Sequence, residues 1–360
     1  MMFDQLSNSK LHITLFLLLS YLCNITNTYS ENSKRIETIY GTEVITEPVL
    51  IDLINDKYMQ RLKEINQYGI DYYVYKAEKY TRYDHSLGVF FLVRLYGGSL
   101  KEQIAALLHD VSHTTFSHVG DFLFNKVNTK DSYQDDIHYS FIKQSSLKDV
   151  LKKHGYKIKD ILHKNKDFTC LESDLPNICA DRLEYNLFGG VLQGLINLSD
   201  IKVILNDLKF KNNIWYFKNA QYAKLFADVS LYLSTNRWAN HDTAVINVLA
   251  TNVLKSALKL NIIDHDDICY GRDHDVWSKL VLSNDDLIKV GINKLLNFKD
   301  YYRVDYNDFD IFLKLKCRII DPFVKVNNSF LRLSEIDKEF KKEFIKVKDL
   351  ISKGFYIKFI

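Results

Sequence analysis

Proline and glycine are scarce in this sequence, and their scarcity limits the possible folds more than any other feature. The chain has three prolines and 13 glycines in 360 residues, so few positions force a helix to stop. Hydrophobic residues make up 47% of the chain and charged residues 26%, the composition of a globular protein with a sizeable core. The sequence therefore predicts a mainly α-helical globular protein.

The charge pattern gives little support to a nucleic-acid-binding protein. The net charge is +3 at pH 7, and the lysines are scattered along the chain, whereas nucleic-acid-binding proteins concentrate basic residues on one face. A modest basic surplus is compatible with an anionic small molecule. None of the five cysteines forms a CxxC pair, and five are too few for a disulfide scaffold.

The N-terminal residues 1–30 are expected to be a leader rather than part of the fold. Residues 11–23 are apolar but too short to span a bilayer comfortably, so no membrane span is expected. Lys10 precedes this apolar segment and small residues precede Glu31, as in a secretory signal, although Asp4 weakens the basic end. A disordered or amphipathic leader on a cytoplasmic protein is the alternative, and both localisations stay open.

Start and stop signals divide the rest of the chain into elements. An apolar helix over 86–96 ends at a Gly-Gly pair, and a Ser-x-x-Glu capping box then starts a helix over about 100–113. A third helix is expected from about 174 to the second Gly-Gly pair, at 189–190, and a hairpin over 208–217.

The C-terminal part has a different composition. Residues 301–326 are rich in β-forming residues, and a capped amphipathic helix follows from Ser334. This layout predicts a helical core over residues 31–300 and a smaller mixed α+β segment, residues 301–360, packed on that core.

Histidine and aspartate concentrate in the stretch LLHDVSHTTFSHVGD, residues 107–121. The dipeptide His-Asp occurs four times, at positions 109, 241, 265 and 274, but only the first follows an apolar helix. Buried ionisable groups are costly unless they are paired or bound to a metal. The pairs at 265 and 274 lie in a polar stretch and are expected in a solvated loop.

The spacing within this stretch suits metal ligation and acid–base chemistry. His109 and His113 are four residues apart, so a continuous helix would place them on one face, with Asp110 about 100° round. Imidazole and carboxylate together suit Mn²⁺, Fe²⁺, Co²⁺, Ni²⁺ or Zn²⁺. A hydrogen-bonded structural role is the alternative for each histidine alone, but three in ten residues, with His118, favour a site.

The order of motifs resembles that of HD-domain phosphohydrolases, and specifically the deoxynucleoside triphosphate triphosphohydrolase branch. The matching motifs are RYDHSLGV (82–89), HDVSHTTFSH (109–118), His138 and DRLEY (181–185). The resemblance extends over roughly residues 36–350.

The resemblance implies a role for each motif residue. The implied metal ligands are His85, His109, Asp110 and Asp181. The implied catalytic groups are His113, His118, His138 and Asp121, and the implied substrate contacts are Arg82 on the phosphates and Gln67 and Tyr185 on the sugar. It also implies Mg²⁺ accompanying the nucleotide and a homo-oligomeric protein.

Some positions depart from the family pattern. Tyr139 follows His138 where the family usually has Glu, and Gly189 stands where an aspartate near the sugar is often found. The Thr114–Thr115 pair replaces Gly-Pro. As a whole, the resemblance implies hydrolysis of a deoxynucleoside triphosphate to deoxynucleoside and triphosphate. The alternatives are hydrolysis of a nucleoside monophosphate or alarmone, or a nucleotide- or nucleic-acid-binding regulator with little turnover.

Overall fold

A computed structural model describes residues 33–76, 79–124 and 132–360 of the chain. The predicted leader, residues 1–30, lies outside the described residues. Among the described helices, none combines the length and the apolar character needed to cross a membrane.

Helices dominate the described residues, so the prediction of a mainly α-helical fold is confirmed. The α-helices are α1 (Pro48–Asn55), α2 (Lys57–Arg61), α3 (Asp71–Tyr75), α4 (Arg82–Leu95), α5 (Leu100–Leu108), α6 (Val119–Leu123), α7 (Tyr133–Gln144), α8 (Leu147–Lys153), α9 (Ala180–Leu192), α10 (Leu198–Asp207), α11 (Ala220–Leu233), α12 (His241–Lys259), α13 (His265–Cys269), α14 (Asp273–Val281), α15 (Asp286–Leu296), α16 (Leu333–Ile336) and α17 (Lys338–Lys353). The strands are β1 (Lys34–Thr38), β2 (Gly41–Ile45), β3 (Leu208–Lys211), β4 (Ile214–Phe217), β5 (Tyr302–Val304), β6 (Ile311–Leu313), β7 (Phe323–Val326), β8 (Ser329–Arg332) and β9 (Phe355–Phe359).

The strands form small sheets at the edges of the helical core. β1 pairs with β2, the order β3-β4-β7-β8 forms a second sheet, and β5-β9-β6 forms a third. The predicted hairpin is confirmed as β3–β4, whose turn residues Asn212 and Asn213 both have positive φ, as a type I′ turn requires. β4 and β7 pair in parallel, which joins the hairpin to the C-terminal part of the chain.

The helix expected over residues 100–113 is shorter than predicted. α5 ends at Leu108, and the following residues form tight turns, with Val111 N donating to Leu108 O and His113 N donating to Asp110 O. Phe116 and Ser117 then adopt φ of 57° and 52°, which no α-helix contains. His109 and His113 therefore do not share a face of one helix.

The helix predicted from residue 174 begins later and ends later. Residues 174–177 form a turn, and α9 starts at Ala180. It continues through Gly189 and Gly190, which do not end the helix but let a neighbouring element pack closely against it. A Cβ on Gly190 would lie 2.8 Å from Val229 Cγ1. The positive-φ glycine that follows the helix is Gly194.

The polar stretch around residues 265 and 274 is helical rather than a loop. It forms α13, which Asp264 caps, and α14, and His265 and His274 both lie exposed on them, as a solvated segment should. The prediction of a loop was wrong because short helices have too few apolar residues to show a 3.6-residue period.

Two apolar clusters form the core, and the histidine-rich stretch joins them. Leu107, Leu108 and Val111 pack in the larger cluster, with α4, α9 and α11. Phe116 and Val119 pack in the smaller one, with α12 and α15. The polar side chains between these anchors are thus held at the boundary of the two clusters.

Candidate metal centre

The first turn of α4 orients two of the predicted site residues. Thr81 Oγ1 accepts a hydrogen bond from Asp84 N, and the Asp84 carboxylate accepts one from Thr81 N, forming a reciprocal capping box. From this fixed turn, Arg82 and His85 point inward and are only 3% and 1% exposed.

The four predicted metal ligands come together from three elements. His85 lies on α4, His109 and Asp110 follow α5, and Asp181 lies in the first turn of α9. His85 Nε2 is 3.1 Å from His109 Nε2 and 3.0 Å from Asp181 Oδ1. Asp110 lies at the side, with Oδ2 3.5 Å from His85 Nε2 and Oδ1 3.6 Å from His109 Nε2.

The hydrogen bonds of the two imidazoles turn their Nε2 atoms toward the cluster. His109 Nδ1 donates to Ala106 O at 2.7 Å, and His85 Nδ1 donates to the carboxylate of Glu184. Two Nε2 lone pairs at 3.1 Å repel each other unless a proton or a metal ion lies between them. Nitrogen ligands about 2.1 Å from one ion are roughly 3 Å apart in right-angle coordination.

The donor set therefore fits a divalent transition metal. His85, His109 and Asp181 each offer a ligand atom within 4.8 Å of the others. Two imidazole nitrogens with carboxylate oxygens are the ligands of Mn²⁺, Fe²⁺, Co²⁺, Ni²⁺ and Zn²⁺ sites, and the chain supplies the buried partners that orient both imidazoles.

Electrostatics in the cluster favour charged side chains despite their burial. Burial opposes the charged form of His85, but Glu184 and Asp181 outweigh it and raise its pKa to about 10. Burial also opposes the charged forms of Asp110 and Asp181, yet Arg82 beside Asp110 and the two histidines beside Asp181 hold both pKa values below the usual range. A metal ion would meet ionised carboxylates here and would have to displace a proton from His85.

Arg82 contacts a predicted ligand directly. Its Nη1 is 2.6 Å from Asp110 Oδ2, its Nε donates to Ser117 Oγ at 3.1 Å, and its Nη2 donates to Gln67 O at 3.3 Å. The guanidinium therefore fixes Asp110 and lies beside the metal cluster, where the implied phosphate contact would also place it.

His113 and His118 lie next to the cluster with their rings 5.2 Å apart. His113 Nε2 donates to Asp110 Oδ1 at 3.2 Å, and burial lowers the pKa of His113 to about 4. The side chain of His118 is 42% exposed, and its Nδ1 donates to Asp121 Oδ2 at 3.0 Å. Asp121 thus holds the orientation of His118.

His138 reaches the same region from α7. It is 2% exposed, and its Nδ1 lies 2.9 Å from Ser112 Oγ. Burial lowers the pKa of His138 well below the usual value, with further lowering by His163 and His109.

The two implied sugar contacts are buried polar groups. Tyr185 lies one turn after Asp181 on α9, with its ring 6.5 Å from that of His85 and 4.7 Å from that of Trp238. Tyr185 OH and Gln67 Oε1 are buried and have no hydrogen-bond partner among the described residues. Buried polar atoms are normally paired, so both atoms are free to hydrogen-bond a water molecule or a polar ligand.

Glu184 is a residue of the site that sequence reasoning missed. It is fully buried and accepts hydrogen bonds from His85, Tyr80 and Tyr40. The available signal was its spacing: a carboxylate three residues after Asp181 lies near the same helix face. A second group, Glu172 and Cys179, borders Asp181 and was also missed.

Comparisons with known proteins agree with this geometry. Residues 82–172 match the HD domain family. The uncharacterized protein YdhJ of Bacillus subtilis is 32% identical over 326 residues, which cover 90% of this chain and 98% of YdhJ. The metal-dependent phosphohydrolase cns2 of Cordyceps militaris is 38% identical over 173 residues, covering 48% of this chain and 49% of cns2. The chain belongs to the HD-domain metal-dependent phosphohydrolases.

More distant similarities concern the fold and one branch of the family. This HD-domain protein is 32% identical over 122 residues to the human deoxynucleoside triphosphate triphosphohydrolase SAMHD1, over 30% of this chain and 20% of SAMHD1. A crystal structure of a phosphohydrolase from Bacteroides thetaiotaomicron superposes with a TM-score of 0.68 at 15% identity, covering 90% of this chain and 98% of that one. At this identity the superposition shows a shared fold.

Proposed function

We propose that this HD-domain phosphohydrolase converts deoxynucleoside triphosphates to deoxynucleoside and inorganic triphosphate. The observation that carries the proposal is the set of buried polar atoms without partners around the metal cluster: His113 Nδ1, His138 Nε2, Tyr185 OH and Gln67 Oε1. Buried polar atoms cost free energy unless paired, and a nucleotide would supply partners to all four.

The residues around the cluster would have different roles toward such a substrate. A divalent ion held by His85, His109, Asp110 and Asp181 would supply Lewis-acid chemistry at a phosphate. Arg82 fixes Asp110 through one guanidinium nitrogen and has a geometry suited to phosphate oxygens.

His113 and His138 supply imidazole nitrogens within the site. Burial keeps the pKa of both below the usual value, and a bound polyanion would raise both because opposite charge stabilises imidazolium. Substrate binding would therefore be accompanied by proton uptake, and the protonated histidines would offset phosphate charge and protonate a leaving oxygen.

The sugar end of the proposed substrate lies along α9. Asp181 and Tyr185 are one turn apart, which is about 6 Å along a helix axis, and the Tyr185 ring packs edge-on against Trp238. With a phosphate at Asp181, the sugar would lie beside Tyr185 and Gln67. Close packing there supports selection against the additional hydroxyl of ribose.

A panel of nucleotides with chromatographic identification of the products tests the proposal, with and without added Mn²⁺. Deoxynucleoside triphosphates should give nucleoside and triphosphate, and ribonucleotides should react more slowly. Orthophosphate or pyrophosphate as the first inorganic product would refute the triphosphohydrolase assignment, and turnover of monophosphates or alarmones alone would assign another HD reaction. A catalytically silent protein that still binds nucleotides would be a regulator.

The resemblance also supports a homo-oligomer, which we include in the proposal. Light scattering on the purified full chain tests it, and a mass of one protomer, 42.2 kDa, at all concentrations would contradict it.

A further inference from the structure

A chain of hydrogen bonds links Asp135 and Gln134 on α7 through Ser112 to His138 on the same helix, and it sets the position of the His138 proton. His138 Nδ1 is 2.9 Å from Ser112 Oγ, and Ser112 Oγ is 2.8 Å from Gln134 Oε1. Gln134 Nε2 in turn donates to Asp135 Oδ1 at 2.9 Å. Ser112 is completely buried, and Gln134 and His138 are 9% and 2% exposed, so water cannot easily replace these partners.

The far end of the chain can only accept hydrogen bonds. The Asp135 carboxylate accepts from Ser132 N at 2.9 Å, lies 3.1 Å from His163 Nε2, and lies 3.2 Å from Lys164 Nζ. Burial would raise the pKa of Asp135, but the hydrogen bond from His163 and the nearby charges lower it below the usual range. An ionised carboxylate has no proton to donate, so Gln134 must present its NH₂ group to Asp135.

The orientation of the Gln134 amide then determines where the protons of Ser112 and His138 lie. With its NH₂ on Asp135, Gln134 presents Oε1 to Ser112, and Gln134 O also lies 3.1 Å from Ser112 Oγ. Both oxygens are acceptors only, so the single hydroxyl proton of Ser112 goes to Gln134. The remaining neighbour, His138 Nδ1, must therefore donate its proton to Ser112 Oγ.

We infer that Ser112 and Gln134 are positioning residues that hold neutral His138 with its proton on Nδ1 and an unprotonated Nε2. That Nε2 is buried and has no partner among the described residues. Resting His138 can therefore accept a proton at Nε2 and becomes a donor to a phosphate or a leaving group only after it has been protonated. The tautomer follows from the hydrogen-bond geometry and the ionised Asp135 carboxylate, whereas its use in turnover rests on the proposed function.

Nuclear magnetic resonance of the full-length protein, ¹⁵N-labelled at histidine and loaded with diamagnetic Zn²⁺, tests the tautomer directly. His138 is identified by the signals lost in His138→Gln. We expect a protonated Nδ1 and an unprotonated Nε2 at neutral pH. A neutral His138 with its proton on Nε2, or an imidazolium, would overturn the inference.

Ser112→Ala tests whether the hydrogen bond to Ser112 sets the tautomer of His138, and Ser230→Ala is the matched control. Ser230 is equally buried, and its hydroxyl has no partner among the described residues. Ser112→Ala should populate the Nε2–H tautomer and lower kcat about 10- to 100-fold, the range known for partners that orient metal-ligating imidazoles, while Ser230→Ala changes neither. An unchanged tautomer in Ser112→Ala would contradict the inference. Absence of nucleotide turnover in the wild type would refute only the proposed function, because the resonance measurement needs no substrate.

Discussion

Replacing Glu184 with glutamine should weaken metal binding without disturbing the fold. Glu184 accepts hydrogen bonds from His85 Nδ1, Tyr80 OH and Tyr40 OH, and all of its side chain is buried. Glutamine has nearly the same shape, and its remaining oxygen can still accept from His85 and Tyr80. Tyr40 can turn its hydroxyl to accept from the new NH₂ group. The substitution therefore removes a charge but few contacts.

The expected magnitude follows from the position of that charge. Glu184 lies behind His85 and makes its Nε2 a stronger ligand through the hydrogen bond to Nδ1. Loss of such an outer-shell partner costs roughly 10- to 100-fold in metal affinity, which is about 1.4–2.7 kcal/mol.

Glu184 also raises the pKa of His85, so the two effects must be separated. Competition titration against a chelator at several pH values measures the affinity with proton competition at His85 accounted for, and Glu102→Gln is the control. Glu102 is also a buried glutamate, 6% exposed, but it accepts from Cys170 N and Leu171 N rather than from a site histidine. Glu102→Gln should lower the thermal stability and leave the metal affinity unchanged. Wild-type metal affinity in Glu184→Gln, with the helix content intact, would refute the role of the Glu184–His85 contact.

Three further outcomes are expected. Alanine at His113, His118 or His138 should retain the metal and lower kcat by roughly 10²–10⁴-fold, as steady-state kinetics and elemental analysis will show; full turnover in all three variants would assign them structural roles. Metal affinity should decrease as the pH is lowered, by up to about tenfold per pH unit below pH 10, because the metal must displace the proton of His85, whose pKa is raised to about 10. A metal affinity that does not change between pH 6 and 8 would contradict this. Deletion of residues 1–30 should leave a folded, active enzyme, and an insoluble truncation would mean that the leader packs on the core.

The sequence was informative where side-chain chemistry and spacing act locally. Ser99 caps α5 by accepting a hydrogen bond from Glu102 N, as predicted, although the Glu102 carboxylate accepts from Cys170 N and Leu171 N instead of completing the capping box. The hairpin predicted over 208–217 forms as β3–β4. The family motifs named the residues that the structure brings together at the metal cluster, although His109 lies 24 and Asp181 96 positions after His85. Periodicity alone would not have paired His85 with Asp181.

The errors arose where tertiary contacts override local signals. α5 ends before His109, and in the positive-φ turn that follows, Phe116 N donates a hydrogen bond to Asp273. That contact joins residues 157 positions apart and leaves no local trace. The roles of Glu184 and Ser112 were missed for the same reason, since each becomes visible only through the histidine that it contacts.

Metal content in the double variant His109→Ala/Asp110→Ala tests the central claim most directly. Elemental analysis of the wild type should find about one transition-metal ion per protomer, because two imidazoles and two carboxylates form one ligand set. The double variant lacks half of that set and should contain almost none, while circular dichroism shows the same helix content. Equal metal content in the two proteins would contradict the assignment of His85, His109, Asp110 and Asp181 as the metal centre.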